Sequence, residues 1–286
     1  MPSVADDPIV FHATLTASRE TVYFLARLLH QRRATAGTRR GTRALGPFRQ
    51  AVLVLRWFLD AARVAQLAAD NRVSLSTAYT RLHEGIDALA ALAPGVHEAL
   101  AAARAAGATH VNLDGTLIET DRIARKGPNG ADLWWSGKHK RHGGNIQVLS
   151  YPDGFPVWVS DVRPGREHDS TCAKAAAPLL PALEVFEDEY RTPTLTDLGY
   201  QNLSAAIRHP HKKPKNGELT EEQTTYNKVI RGVRAPAERA NALLKETFAA
   251  LQKVSLDPWR IGAIIKAALV LLHIEHGRPL PGGYTA

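Results

Sequence analysis

Apolar positions repeat at helical spacing over most of the first 105 residues and at strand spacing over much of the next 50. Val22, Phe24, Leu25, Leu28 and Leu29 predict a first helix. Val52, Leu55, Phe58 and Leu59 mark one face of a second, residues 47–61, with Pro47 at its start. A third runs over residues 64–70. The polar break Asn71-Arg72-Val73-Ser74 follows, with Ser74 as the N-cap of a fourth helix. Ala65, Leu67, Ala68, Val73, Ala78 and Leu82 supply a small core, which leaves Ser76, Thr77, Tyr79, Thr80 and Arg81 on or near the outer face of the fourth helix. This is a helix-turn-helix pattern, whose second helix enters the major groove of double-stranded DNA. An ordinary helical hairpin is the plain alternative. Residues 88–108 form an alanine-rich stretch broken at Pro94-Gly95 and read as a connector.

From residue 109 the pattern changes. His110 to Leu113 is a short buried strand ending at Asp114. A hairpin is predicted over residues 146–160, turned at Tyr151-Pro152-Asp153-Gly154, where Pro presets φ and Gly accepts a positive one. His168 to Leu183 should be mainly helical up to the prolines at 178 and 181. A strand over residues 193–196 ends at Asp197. Long helices then cover residues 221–251 and 258–275. The expected fold class is α/β, a mixed-sheet domain over residues 109–280. It is preceded by an N-terminal helix and basic linker (1–46), an all-α helix-turn-helix domain (47–92) and a helical connector (93–108).

The 286 residues are 44% hydrophobic, with a formal net charge of +8, a balance that suits a polyanionic partner such as nucleic acid. Arginines at 32, 33, 39, 40 and 43 lie amid Gly and Thr, as a solvated linker or an arm on the phosphate backbone. One cysteine, Cys172, excludes an intrachain disulfide framework and a cysteine zinc cluster and fits a reducing cytoplasm. The N-terminus, with Asp6 and Asp7, lacks a signal-peptide pattern. The apolar run 261–272 is too short to span a bilayer. Localisation is therefore expected to be cytoplasmic, without a membrane partner.

Three carboxylates carry the candidate chemistry: Asp114, Asp197 and Glu238. Phosphodiester cleavage needs an activated water or hydroxyl and neutralised charge on phosphorus, which two divalent ions roughly 4 Å apart provide. Mg²⁺ takes oxygen ligands and is held by few carboxylates. Two short Asp side chains at strand ends and a longer Glu on a helix meet that need. Arg234, Asn241 and Lys245 share the helical face of Glu238. Each acid alone also reads as a surface charge or a cap.

Residues from about 109 to 275 resemble the DDE superfamily of transposase nucleases, in the bacterial insertion-sequence branch related to Harbinger-type nucleases. The matching pieces are Leu113-Asp114-Gly115-Thr116, Ser136-Gly137-Lys138-His139-Lys140, Asn145-Ile146-Gln147-Val148, Pro164-Gly165-Arg166-Glu167-His168-Asp169, Asp197-Leu198-Gly199-Tyr200 and Glu238-Arg239 with Leu244-Lys245. The resemblance implies an RNase H-like catalytic domain and places the catalytic, metal-holding triad on Asp114, Asp197 and Glu238. Mg²⁺ or Mn²⁺ would be the cofactor, and a homo-oligomer would form on DNA. Two departures are visible. Leu198 stands where the family often has a basic residue, and Pro236 lies two residues before Glu238, where it delays or kinks the helix.

Lys138, His139, Lys140 and Arg141, after Trp134-Trp135, suit a nucleic-acid strand held by phosphate contacts and stacking. A buried Trp pair with a solvated basic loop is the alternative. His168 and Asp169 are adjacent, so their side chains point apart and form no dyad. They read as a helix start, with a contact to the site or to DNA left open. His273, Glu275 and His276 have poor spacing for a metal. The expected activity is DNA cleavage and strand transfer by a transposase. A catalytically inactive DNA-binding relative and an unrelated metal-dependent phosphohydrolase of small molecules are the alternatives.

Overall fold

The structure, a computed structural model, describes residues 14–39, 41–127 and 130–282. The N-terminal segment with Asp6 and Asp7, and Arg40 of the basic arm, lie outside the described residues. Among the described residues no helix is long and apolar enough to cross a membrane.

Five helices open the chain: α1 Arg19–Thr35, α2 Pro47–Asp60, α3 Val64–Asn71, α4 Leu75–Ala90 and α5 Val96–Ala105. Pro47 sits at the start of α2, where its missing N–H is no loss. Ser74 caps α4 as expected, its hydroxyl accepting from the Thr77 N–H at 3.2 Å. Arg72 adopts left-handed backbone (φ 53°) and makes the turn between α3 and α4. The basic arm is less free than its composition suggests. Arg33 lies on α1 and donates to Gln50, and Arg43 pairs with Glu84 at 2.5 Å.

The remaining elements are β1 Val111–Glu119, β2 Trp135–Ser136, β3 Arg141–Ser150, β4 Pro156–Val159, β5 Arg163–Pro164, α6 Asp169–Ala175, α7 Leu179–Tyr190, β6 Thr194–Leu195, β7 Ile207–Arg208, α8 Glu221–Arg234, α9 Ala237–Thr247 and α10 Ile261–Glu275. Together the strands make one mixed sheet. β1 runs antiparallel to β3, while β6 lies parallel to β1 and β7 parallel to β6. β4 completes the expected hairpin with β3, turning at Gly154 (φ 79°).

Three differences from expectation have local causes. β1 does not end at Asp114. The ladder with β3 continues to the pair Glu119↔Gly143, where the Gly143 α-carbon lets the strands close. The helix expected from His168 stops at Ala175, short of Pro178 as expected, but a further helix, α7, then runs through Pro181 to Tyr190, since a proline in the first turn of a helix loses no hydrogen bond. The long helix expected over 221–251 is two helices, because Pro236 lacks the donor that α8 would need and instead caps α9.

Alternation along the strands divides the core into two layers. Val111, Leu113, Leu149 and Val157 pack on one face with α5, α6 and α7, and Ile118, Ile146, Val148 and Val159 on the other with α9 and α10. α5 is therefore part of that first layer, not only a connector. α10 is buried on nearly every side, from Ile261 to Ile274. It packs against α1, α4, α9 and β4, so the core of the N-terminal helices is continuous with that of the sheet.

Candidate active site

Parallel pairing brings the first two acids together. The β1–β6 register aligns Val111 with Thr194 and Asn112 with Leu195. Asp114 and Asp197 each stand two residues beyond the last aligned pair, Asp114 within β1 and Asp197 just past the end of β6, and paired strands lie about 4.8 Å apart. Asp197 follows β6 and caps a 3-10 turn, Leu198–Tyr200, its Oδ1 accepting from the Gly199 N–H at 2.8 Å.

Asp114 is the perturbed group of the site. Burial pushes its carboxyl up from 3.8 to about 6. Arg234 pulls the other way, and the negative charges of Asp197 and Asp169 add to the rise. Both oxygens have donors: Oδ1 accepts from Arg234 at 3.0 Å, and Oδ2 from Asn241 at 2.9 Å. Lys245 donates to the Leu117 carbonyl at 3.0 Å. Burial holds Lys245 below its ordinary pKa against the pull of Asp114. Arg234 and Asn241 thus serve Asp114 and not Glu238, and Lys245 serves the backbone of β1. Arg234 belongs to α8, on the other side of the Pro236 break.

Glu238 is exposed in the first turn of α9. It lines a cleft of about 450 Å³ with Asp197, Leu198 and Arg234. Among the described residues, no three His, Cys, Asp or Glu side chains are gathered closely enough to hold a metal ion. The expected gathering of the three acids into one metal-holding pocket is not seen among the described residues. The Asp114–Asp197 pair, two hard oxygen donors on adjacent strands, does suit a dication such as Mg²⁺, which needs only one or two carboxylates from a protein.

A fourth acid lies at the site. Asp169 opens α6 over Gly115, where a β-carbon would stand 2.3 Å from Asp169 Oδ1 and 3.0 Å from the Tyr200 hydroxyl. Asn145, Gln147 and Tyr200 connect to it by hydrogen bonds. Burial, then the charges of Asp169, Asp114 and Asp197, push the Tyr200 phenol well above its ordinary value. The sequence holds a signal for this network: Asn145 and Gln147 are two polar residues at i and i+2 of a strand, hence on one face.

The basic loop is exposed at Lys138, His139, Lys140 and Arg141. Arg141 pairs with Glu119 at 2.6 Å and Lys138 with Asp169 at 3.0 Å. Trp134 is buried edge-on against Trp259, while Trp135 is exposed against His142. On α4, Ser76, Tyr79 and Thr80 are exposed and Thr77 is half-buried. Arg81 is half-buried and pairs with Glu84 at 2.7 Å. His273 is buried, its ring nitrogens 3.0 Å from the carbonyls of Pro279 and Pro156, a structural role.

The family comparison gives a class to this sheet with its two neighbouring acids and basic loop. The DDE superfamily endonuclease model matches residues 113–273, and the chain belongs to that family. The matched stretch runs from β1 through α10 and so includes Asp114, Asp197 and Glu238. No curated protein matches the chain. Among solved structures, one described as a Mos1 transposase paired-end complex with left transposon end aligns with 89% of this chain and 87% of its own. Identity is 14% and the TM-score 0.22, a superposition too loose to argue from.

Proposed function

We propose that the chain is a DNA transposase that hydrolyses phosphodiesters at the ends of an insertion element and transfers the freed strand. The placement of Asp114 beside Asp197 by parallel strand pairing is the observation that carries this reading. It stands together with the family match. The antiparallel strands β1, β3 and β4, extended by parallel β6 and β7, support an RNase H-like catalytic domain.

Asp114 and Asp197 are the residues that would hold Mg²⁺ or Mn²⁺. When bound, the ion would supply an activated oxygen nucleophile and offset charge on phosphorus. Glu238 stands on the wall of the cleft as the third acid. Arg234 and Lys245 offset the charge of a phosphate entering beside Asp114, in a half-buried site where such charges act strongly. The α3–α4 pair serves as the helix-turn-helix. Ser76, Tyr79 and Thr80 face outward for base edges, with Thr77 and Arg81 at the flank. His139, Lys140 and Arg141 offer phosphate contacts. A homo-oligomer on double-stranded DNA completes the reading.

A second reading, a catalytically inactive DNA-binding protein derived from such an enzyme, has one observation in its favour. Both oxygens of Asp114 are already engaged by Arg234 and Asn241. Incubation of supercoiled plasmid with Mg²⁺ or Mn²⁺ separates the two. Nicking by the native protein that Asp114→Ala abolishes supports the transposase. DNA binding without nicking overturns it in favour of the second reading.

A further inference from the structure

The motif that ends in Asp169 supplies none of the three acids proposed for cleavage, yet its carboxylate lies over Gly115, next to Asp114 in the chain. A hydrogen-bond chain of fixed direction reaches it. The Tyr200 hydroxyl donates to Gln147 Oε1 at 2.6 Å. The Gln147 amide nitrogen donates to Asn145 Oδ1 at 2.9 Å. The Asn145 amide nitrogen donates in turn to Asp169 Oδ1 at 2.8 Å. Turning either amide over would set like atoms against each other, so each link orients the next. The chain joins the turn that Asp197 caps to β3 and α6.

Asp169 Oδ2 is left for one further partner, and Lys138 Nζ donates to it at 3.0 Å. The contrast in exposure is informative: the Asp169 side chain is 11% exposed and Lys138 61%. A held carboxylate thus restrains a long, otherwise mobile cation on a surface loop, whose ordering costs side-chain entropy. Burial lowers the Lys138 ammonium, but Asp169, Asp197 and Asp114 together take it above its ordinary pKa. The contact that fixes its place is the one to Asp169, whose carboxylate lies over Gly115, next to Asp114 in the chain. Both oxygens of Asp169 already accept hydrogen bonds, from Asn145 and Lys138, which fits an anchor.

We propose that Asp169 is a positioning residue that holds the Lys138 ammonium near the Asp114–Asp197 pair, where it meets a backbone phosphate of the DNA. The proposal rests on the endonuclease reading for its setting. Asp169→Asn separates the two links. The new side chain keeps an oxygen for Asn145 but presents a nitrogen to Lys138, so the chain to Tyr200 survives and the hold on the cation is lost.

The test is a double-mutant cycle of Lys138→Ala and Asp169→Asn on a duplex substrate. Cleavage kcat/KM and DNA affinity in chelator are measured separately. Alone, each variant should lower kcat/KM about tenfold or more, and the double variant should fall no more than about twofold below the weaker single. In chelator, Lys138→Ala should weaken DNA binding in the native background and have little effect beside Asp169→Asn. Lys138→Arg should retain most of the native activity, but only while Asp169 is present. Thermal unfolding checks the fold. Should Asp169→Asn not fold, Asn145→Ala unseats the same carboxylate without removing a charge, and it should likewise mask Lys138→Ala. Additive losses, or native behaviour of Asp169→Asn, overturn the proposal. If the native protein does not cut DNA, the endonuclease reading falls, and the affinity cycle still decides the role of Asp169. If it cuts and both cycles are additive, only the Asp169 proposal falls.

Discussion

Asp114→Asn should stabilise the protein while abolishing cleavage. The Asp114 carboxyl rises from 3.8 to about 6 in the fold, first through burial, against the pull of Arg234 and with that of Asp197 and Asp169. Its side chain is 20% exposed, so solvent screens the shift only in part. A carboxyl raised in the folded state contributes stability that is fully present below the ordinary pKa and lost as pH rises through the folded one. The native protein should therefore lose this contribution between pH 3.8 and about 6. At about 1.4 kcal/mol per pKa unit, the ionised form costs about 2 to 3 kcal/mol at pH 8. Asparagine mimics the protonated acid and carries no such dependence. It can also pair with Asn241, whose Oδ1 is buried without a partner, once that amide turns over. In chelator at pH 8, Asp114→Asn should unfold about 4 to 8 °C higher than the native protein, and the gap should close near pH 4. Urea unfolding at the two pH values gives the free-energy difference directly. A variant less stable than native at pH 8, or a gap unchanged at pH 4, would refute the reasoning.

Gly115→Ala places a β-carbon 2.3 Å from Asp169 Oδ1. It should destabilise the fold by about 1 to 3 kcal/mol and displace Asp169, seen as a lower thermal midpoint and slower cleavage. Leu269→Ala, in fully buried α10, should cost about 2 to 5 kcal/mol. Because α10 packs against both α4 and β4, calorimetry should show one transition shifted as a whole; a split transition with an unmoved helical part would count against a continuous core. Tyr79→Ala and Thr80→Ala, both on the exposed face of α4, should weaken binding of a specific element end by about 1 to 3 kcal/mol each. Fluorescence anisotropy should detect that loss with little change for unrelated duplex.

Helices α1 to α4 were readable because amphipathic periodicity and caps act locally. Ser74 caps α4 where the sequence puts it. The neighbourhood of Asp114 and Asp197 was legible only through motif resemblance, since parallel pairing joins residues 83 apart and no local pattern encodes it. The true partner of Arg234 was hidden by the break at Pro236. On a continuous helix it shares the face of Glu238, whereas on α8, across the break, it turns to Asp114. Asp169 could not be placed because its position depends on how α6 docks over Gly115, a tertiary contact. Burial of α5 was missed because alanines have little packing drive alone; Ala99 and Ala103 are buried because α7 lies against them.

Mn²⁺ binding, followed by electron paramagnetic resonance in the native protein, Asp114→Asn and Asp197→Asn, tests the pairing of the two strand-borne acids most directly. The native protein should bind the ion, and each substitution should weaken binding tenfold or more, an effect of about 1.4 kcal/mol or greater. Native protein that binds no Mn²⁺, or binding untouched by Asp197→Asn, would contradict it.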